Sequence, residues 1–140
     1  MQVEIYTDGG ARGNPGISAY GFVIIGPDKK IIHRQSKFLG IKTNNEAEYM
    51  GIIAALFWLK NNWQQLSINS VDLFSDSQLI IRQIQGKYKV KAKNLKPLFT
   101  SIQNLLSQIS LSIRFHHIHR QYNKIADSLA NQAMDDNSRK

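Results

Sequence analysis

The sequence predicts an α/β fold on a mixed five-stranded sheet, three antiparallel strands followed by two parallel ones, with helices on both faces. Three observations carry that expectation. Apolar residues alternate through three early segments separated by turn signals. Short β-rich runs then alternate with segments of helical character. The connections between those later runs are long enough to hold helices, as parallel strands require.

Each element has its own justification. "QVEIYTD" (2–8) alternates and is rich in β-formers, so it reads as a strand ending at Asp8. "GGARGNPG" (9–16) reads as a glycine-rich loop. "SAYGFVIIG" and "KIIHRQSKFLG" flank the turn signal Pro27-Asp28 and form a hairpin. A helix is expected from about Asn44 to Asn62, with Thr43 or Asn44 as N-cap and Glu46 at the capping-box position. Being apolar on nearly every side, it is expected to be central. "SVDLFSD" (70–76) is a short buried strand, and "SQLIIRQIQG" a helix closed by Gly86. "NLKPLFTSIQNLLSQI" is a helix with Pro97 in its first turn. "LSIRFHHI" is a strand, and "NKIADSLANQAMDD" an amphipathic helix whose apolar stripe is Ile125, Ala126, Leu129, Ala130 and Ala133. Residues 1–136 are expected to form a single domain and 137–140 a frayed tail.

Composition narrows the function. The 140 residues include no cysteine, which excludes a disulfide framework, a zinc ribbon and a thiol nucleophile. No apolar run reaches the roughly 18 residues of a membrane span, and "MQVEIYTDGG" lacks the charged-then-apolar order of a signal peptide. A cytoplasmic protein with no membrane partner is expected, and its size suggests a monomer. Eighteen Lys and Arg against ten Asp and Glu give a formal charge of +8, which favours a polyanionic partner, nucleic acid above all. Residues 82–96 concentrate that charge in Arg82, Lys87, Lys89, Lys91, Lys93 and Lys96, with Tyr88 among them and no acid. A solvated charged face would look the same.

The acids are placed more tellingly. Asp8 and Asp76 close two strands expected to be parallel neighbours, and sites in such sheets form beyond the carboxyl ends of the strands. Glu48 and Asp127 lie at two helix beginnings. Singly, each has a bland reading: a turn residue for Asp8, an N-cap for Asp76, a solvated helix acid for Glu48, a favourable first-turn charge for Asp127. Together they could converge on one spot, where a divalent cation would offset their repulsion. Carboxylates without His or Cys suit Mg²⁺ or Mn²⁺ rather than zinc. An acidic hard-metal site in a basic protein points to phosphodiester chemistry.

The motifs "YTDGGARGNPG", "TNNEAEY", "SDSQLIIRQI" and "NKIADSLA", in this order and spanning nearly the whole chain, resemble those of ribonuclease H of the type 1 class. The resemblance implies a ribonuclease H-like fold and an endoribonuclease that hydrolyses the RNA strand of RNA–DNA hybrids, leaving 5′-phosphate and 3′-hydroxyl ends. It places the family's catalytic, metal-holding quartet on Asp8, Glu48, Asp76 and Asp127. In the family the quartet holds two Mg²⁺ ions, with Mn²⁺ as a substitute, one activating a water and the other stabilising the departing 3′ oxygen. It also places hybrid minor-groove contacts on Gly10, Ala11, Asn14, Asn44, Asn45 and Gln78. Glu48, not Glu46, matches the family glutamate, leaving Glu46 to capping.

Two departures stand out. "QGKYKVKAKNLKPLF" is too short for the extra basic helix and loop that grip the DNA strand in many bacterial members, so Lys89, Lys91 and Lys93 are candidates to replace part of that grip. "HIHRQYNKIAD" resembles a compact "VPRE-x-N" version of the loop before the last aspartate, making His119 and Arg120 accessory candidates for phosphate handling or product release. For His116 and His117, packing or exposure is the expectation. Alternative readings are a related nuclease acting on double-stranded RNA or RNA primers, a hybrid-binding module that does not cut, and a lipid-surface protein. The intact quartet speaks against the module, and no helix has the profile of a membrane-surface helix.

Overall fold

The computed structural model describes residues 1–138. Its strands are β1 (Gln2–Gly13), β2 (Gly16–Ile25), β3 (Ile31–Lys42), β4 (Ser70–Ser75) and β5 (Ser112–His117), ordered β3-β2-β1-β4-β5 in one sheet. β1 pairs antiparallel with β2 and parallel with β4, β2 antiparallel with β3, and β4 parallel with β5. The helices are α1 (Asn44–Asn62), α2 (Gln78–Ile84), α3 (Lys96–Ser107) and α4 (Lys124–Ser138). The expected mixed sheet and element order are both observed.

The first strand differs from expectation. β1 does not stop at Asp8 but continues to Gly13, and the 9–13 stretch read as loop is laddered to β2 as far as Gly13↔Gly16. Only the two residues at Asn14-Pro15 make the turn. Gly9 serves close packing, since a Cβ there would collide with the Ala47 carbonyl of α1, while Gly13 enters the turn at φ +99°. What does end near Asp8 is the parallel ladder, whose last pair is Thr7↔Ser75. Asp8 therefore stands one residue past the parallel pairing, and Asp76 one residue past β4.

β2 is buried on both faces, as a central strand must be. Tyr20, Phe22 and Ile24 join the core beneath α1, while Ala19 packs with Ala133 and Met134 of α4. Gly21 lets α4 sink onto the sheet, since a Cβ there would come within 2.6 Å of Leu129 Cβ and 2.7 Å of the Ala126 carbonyl oxygen. α1 buries Ala47, Tyr49, Gly51, Ile52, Ala55, Leu56 and Leu59 but is not enclosed all round: Phe57 is 55% exposed. In the α4 stripe Ile125 is 43% exposed and Met134 is buried. Ile125 lines a depression with Tyr6, Val23 and Ile25 of the sheet and Tyr122.

The helix ends follow local chemistry. Thr43 and Glu46 form a reciprocal capping box at the start of α1. Ser77, not Asp76, caps α2, its hydroxyl accepting from the Ile80 N–H. α2 closes in a Schellman motif, with Gly86 N–H donating to Gln83 O, Lys87 N–H donating to Arg82 O, and Gly86 at φ +81°. α4 is helical through Ser138, and residues 139–140 of the expected tail lie outside the described residues.

On the face opposite α1, the β1–β4–β5 portion carries a cross-strand row of rings. Tyr6 stacks on Phe74 at 4.8 Å and Phe74 on His116 at 4.9 Å. In the next row Asp72 accepts two bonds from Arg114 and contacts His116 Nε2 at 2.7 Å. Arg114's bonds hold the Asp72 carboxyl well below the usual range. His116 is thus a packed, partnered histidine, as its strand position suggested. Among the described residues no helix is long and apolar enough to cross a membrane.

Candidate active site

β1, β4, α1 and α4 each bring one acid to a single cavity of about 410 Å³, lined by Asp8, Glu48, Asp76 and Asp127. Ligand-capable oxygens of Asp8, Glu48 and Asp76 all lie within 4.8 Å of one another. Asp8 and Glu48 are 7% and 5% exposed. The backbone N–H of Gly9 ties the two together, donating to Asp8 Oδ1 at 3.0 Å and also to Glu48 Oε1. Asp127, in the first turn of α4, accepts from Arg120 Nη2 at 3.3 Å and from Asn131 Nδ2 at 3.2 Å.

Burial and like charge act together here. Burial, then the Asp76 charge, push the Asp8 carboxyl up to about 8. Glu48 is raised well above its ordinary value, first by burial and then by the Asp8 and Asp76 charges, with the Gly9 N–H opposing. Asp76 is raised by burial, opposed by Asn123 and Arg120. Glu46, two residues before Glu48, shifts the other way, because its carboxylate accepts the Thr43 backbone N–H. Capping therefore accounts for Glu46 and leaves Glu48 without a structural excuse. An all-oxygen cluster with raised pKa values is what a hard divalent cation would relieve, so Asp8, Glu48 and Asp76 fit a metal site.

Among the other residues singled out in the sequence, Gly10, Ala11, Asn44 and Arg120 line the same cavity. Asn14, Asn45, Gln78, His119, Lys89, Lys91 and Lys93 do not. Asn14 instead braces the rim, its Oδ1 accepting the Asn44 N–H at 3.0 Å, while Asn44 Oδ1 accepts the Ala11 N–H at 3.0 Å. The Ala11 N–H is therefore already engaged. Gln78 and the three lysines are exposed, the lysines on the 85–95 connection, which holds no helix.

Sequence reasoning missed several contributors. Arg12 and Asn131 complete the wall, and Arg12 pairs with Asp135 at 2.7 Å. Asn123 is 1% exposed; its Nδ2 donates to Thr7 O at 2.8 Å, and its backbone carbonyl accepts the Asp127 N–H. Position could have flagged both asparagines, one helical turn before and one after Asp127.

Comparison with known proteins agrees with this geometry. The reverse transcriptase-like family matches residues 6–133. A bifunctional protein of Mycobacterium tuberculosis is 40% identical over 96% of the chain, which spans only 36% of that protein. A ribonuclease H of Clostridium botulinum is 35% identical, with 96% of this chain and 97% of that protein covered. The solved structure of LC11-RNase H1 in complex with an RNA/DNA hybrid superposes with a TM-score of 0.90 at 42% identity, covering 96% and 97% of the two chains. With the sheet order, the acidic centre and these relatives in agreement, the chain belongs to the ribonuclease HI family, in a form with no extra helix between α2 and α3.

Proposed function

We propose that the chain is an endoribonuclease that hydrolyses the RNA strand of RNA–DNA hybrids, leaving 5′-phosphate and 3′-hydroxyl ends. One observation carries the reading: three carboxylates from three separate elements stand within 4.8 Å, with Asp127 on the same cavity, in a chain of formal charge +8. Binding alone would not require so repulsive a cluster. The hybrid bound by the LC11 enzyme supports the choice of duplex.

In this reading Asp8, Glu48, Asp76 and Asp127 hold two Mg²⁺ ions, or Mn²⁺ in their place. When bound, such ions supply an activated water and charge neutralisation at the departing oxygen. The chain's own groups do the rest. Gly9 fixes Asp8 and Glu48 relative to each other before any ligand arrives. Arg120, held at the rim by Asp127, offers its remaining guanidinium donors to a phosphate. Asn44 has its carbonyl committed to Ala11, which turns its amide donors toward a minor groove, where 2′-hydroxyls distinguish RNA. Asn45 and Gln78 add further amide contacts to the duplex, and Lys89, Lys91 and Lys93 meet the DNA strand's phosphates without base readout.

The test is cleavage of a labelled hybrid, double-stranded RNA and a duplex with one ribonucleotide, each with Mg²⁺, Mn²⁺ or EDTA. Hybrid cutting that needs metal and leaves 5′-phosphates is expected. Cutting that survives EDTA would defeat the metal-dependent mechanism. Preference for double-stranded RNA would move the assignment to a related nuclease, which the helix-free 85–95 connection makes worth including.

A further inference from the structure

We infer that Asn123 is the positioning residue of the acidic centre, one buried amide that locks β1, the exit of β4 and the first turn of α4 together. The inference rests on the hydrolase reading above for its catalytic consequence, but its geometric basis is independent of substrate.

Asn123 reaches three of the acid-bearing elements. Its Nδ2 donates to the Thr7 carbonyl at 2.8 Å, and Thr7 both precedes Asp8 and is the last β1 residue paired with β4. Thr7 is paired with Ser75, the residue immediately before Asp76, so the same bond anchors the exit of β4. Its backbone carbonyl accepts the Asp127 N–H at 3.1 Å, closing the first turn of α4. Asp127 is thus one hydrogen bond from this residue, and Asp8 and Asp76 directly follow the paired residues Thr7 and Ser75 that it anchors.

The other end of the amide argues that donation, not packing, selects asparagine here. Oδ1 is fully buried and has no hydrogen-bond partner. A buried, unpartnered carbonyl is unfavourable, and a residue needed only to fill space would be better apolar. Exchanging the two ends of the amide would set a carbonyl oxygen against Thr7 O, so the donor's direction is fixed by the backbone. Aspartate has the same shape but would add a further negative group beside Asp76 and lose the bond to Thr7. Groups that orient a metal's ligands from behind commonly alter metal affinity or activity about 10–100-fold when removed.

The experiment compares Asn123→Ala and the isosteric Asn123→Asp with the wild type in three measurements. These are the melting temperature in EDTA, Mn²⁺ affinity by calorimetry without nucleic acid, and kcat and KM on a hybrid. Asn123→Ala is expected to bind Mn²⁺ about tenfold more weakly, and both variants are expected to lose kcat by a similar factor, with KM for the hybrid little changed. Should Asn123→Ala not fold, Asn123→Ser, small and still a donor, takes its place with a milder loss. Wild-type Mn²⁺ affinity and kcat in folded variants, with only the melting temperature lowered, would overturn the inference and leave Asn123 a packing residue. So would an Asn123→Asp variant as active as the wild type. A wild type that binds Mn²⁺ but cuts no hybrid would sink the functional reading instead, and the calorimetry would still decide the positioning role.

Discussion

Replacing Asp8 by asparagine should stabilise the metal-free protein while removing its activity. Asp8 titrates at an ordinary 3.8 when unfolded but at about 8 in the fold. Between those values the folded state holds a proton that the unfolded chain has released, so stability falls as pH rises through that window. At about 1.4 kcal/mol per pH unit, the loss by pH 7 amounts to about 4 kcal/mol. The substituted amide would not titrate, and its Oδ1 could still accept the Gly9 N–H that Asp8 accepts now. For a chain of this size 1 kcal/mol moves the melting temperature by about 3 °C, so Asp8→Asn should melt as much as about 12 °C higher in EDTA at pH 7. The gap should shrink to about a third at pH 5 and vanish near pH 4. Thermal melts followed by circular dichroism across that range are the assay. An unchanged or lower melting temperature at pH 7, or a gap independent of pH, would refute the reasoning that the clustered acids destabilise the metal-free fold.

The remaining expectations separate roles that look alike in the sequence. Glu48→Gln should lower hybrid cleavage at least about a hundredfold, whereas Glu46→Gln, which keeps an acceptor for Thr43, should retain most activity; the reverse result would show that the wrong glutamate has been placed in the site. Replacing Lys89, Lys91 and Lys93 together by alanine should weaken hybrid binding and flatten its log–log salt slope by up to about 3, read by fluorescence anisotropy in EDTA. An unchanged slope would mean that these lysines are merely solvated. Gly86→Ala meets nothing within 4 Å, so only the backbone at φ +81° resists it. Urea unfolding should then show a loss of about 1 kcal/mol with cleavage intact.

Much of the architecture could be read from local signals. The Thr43–Glu46 box, the Gly86 closure and the Pro27-Asp28 turn each rest on chemistry within a few residues, and each appears where the sequence places it. The convergence of the acids was legible because strand order places Asp8 and Asp76 on neighbouring parallel strands. What escaped was non-local. "GGARGNPG" carries the composition of a loop, yet pairing with β2 and packing against Ala47 hold its first half extended. Ile125 fits the helical stripe, but it is 43% exposed beside Tyr6 and Tyr122, while its neighbour Ala126 is the residue that packs onto Gly21 of β2. Asn123 closes the "VPRE-x-N" resemblance, but its role escaped because its partner Thr7 lies 116 residues away.

Gly9 and Gly21 have a consequence for anyone who would transplant this chemistry. Each marks a place where a helix rests directly on strand backbone, α1 at Gly9 and α4 at Gly21, and those helices carry Glu48 and Asp127. The height of both acids above the sheet is therefore set by two residues that have no side chain at all. Grafting the four carboxylates onto another α/β scaffold would copy the charges without the spacing. A designer would need to carry over the two bare contact points first, and only then the acids.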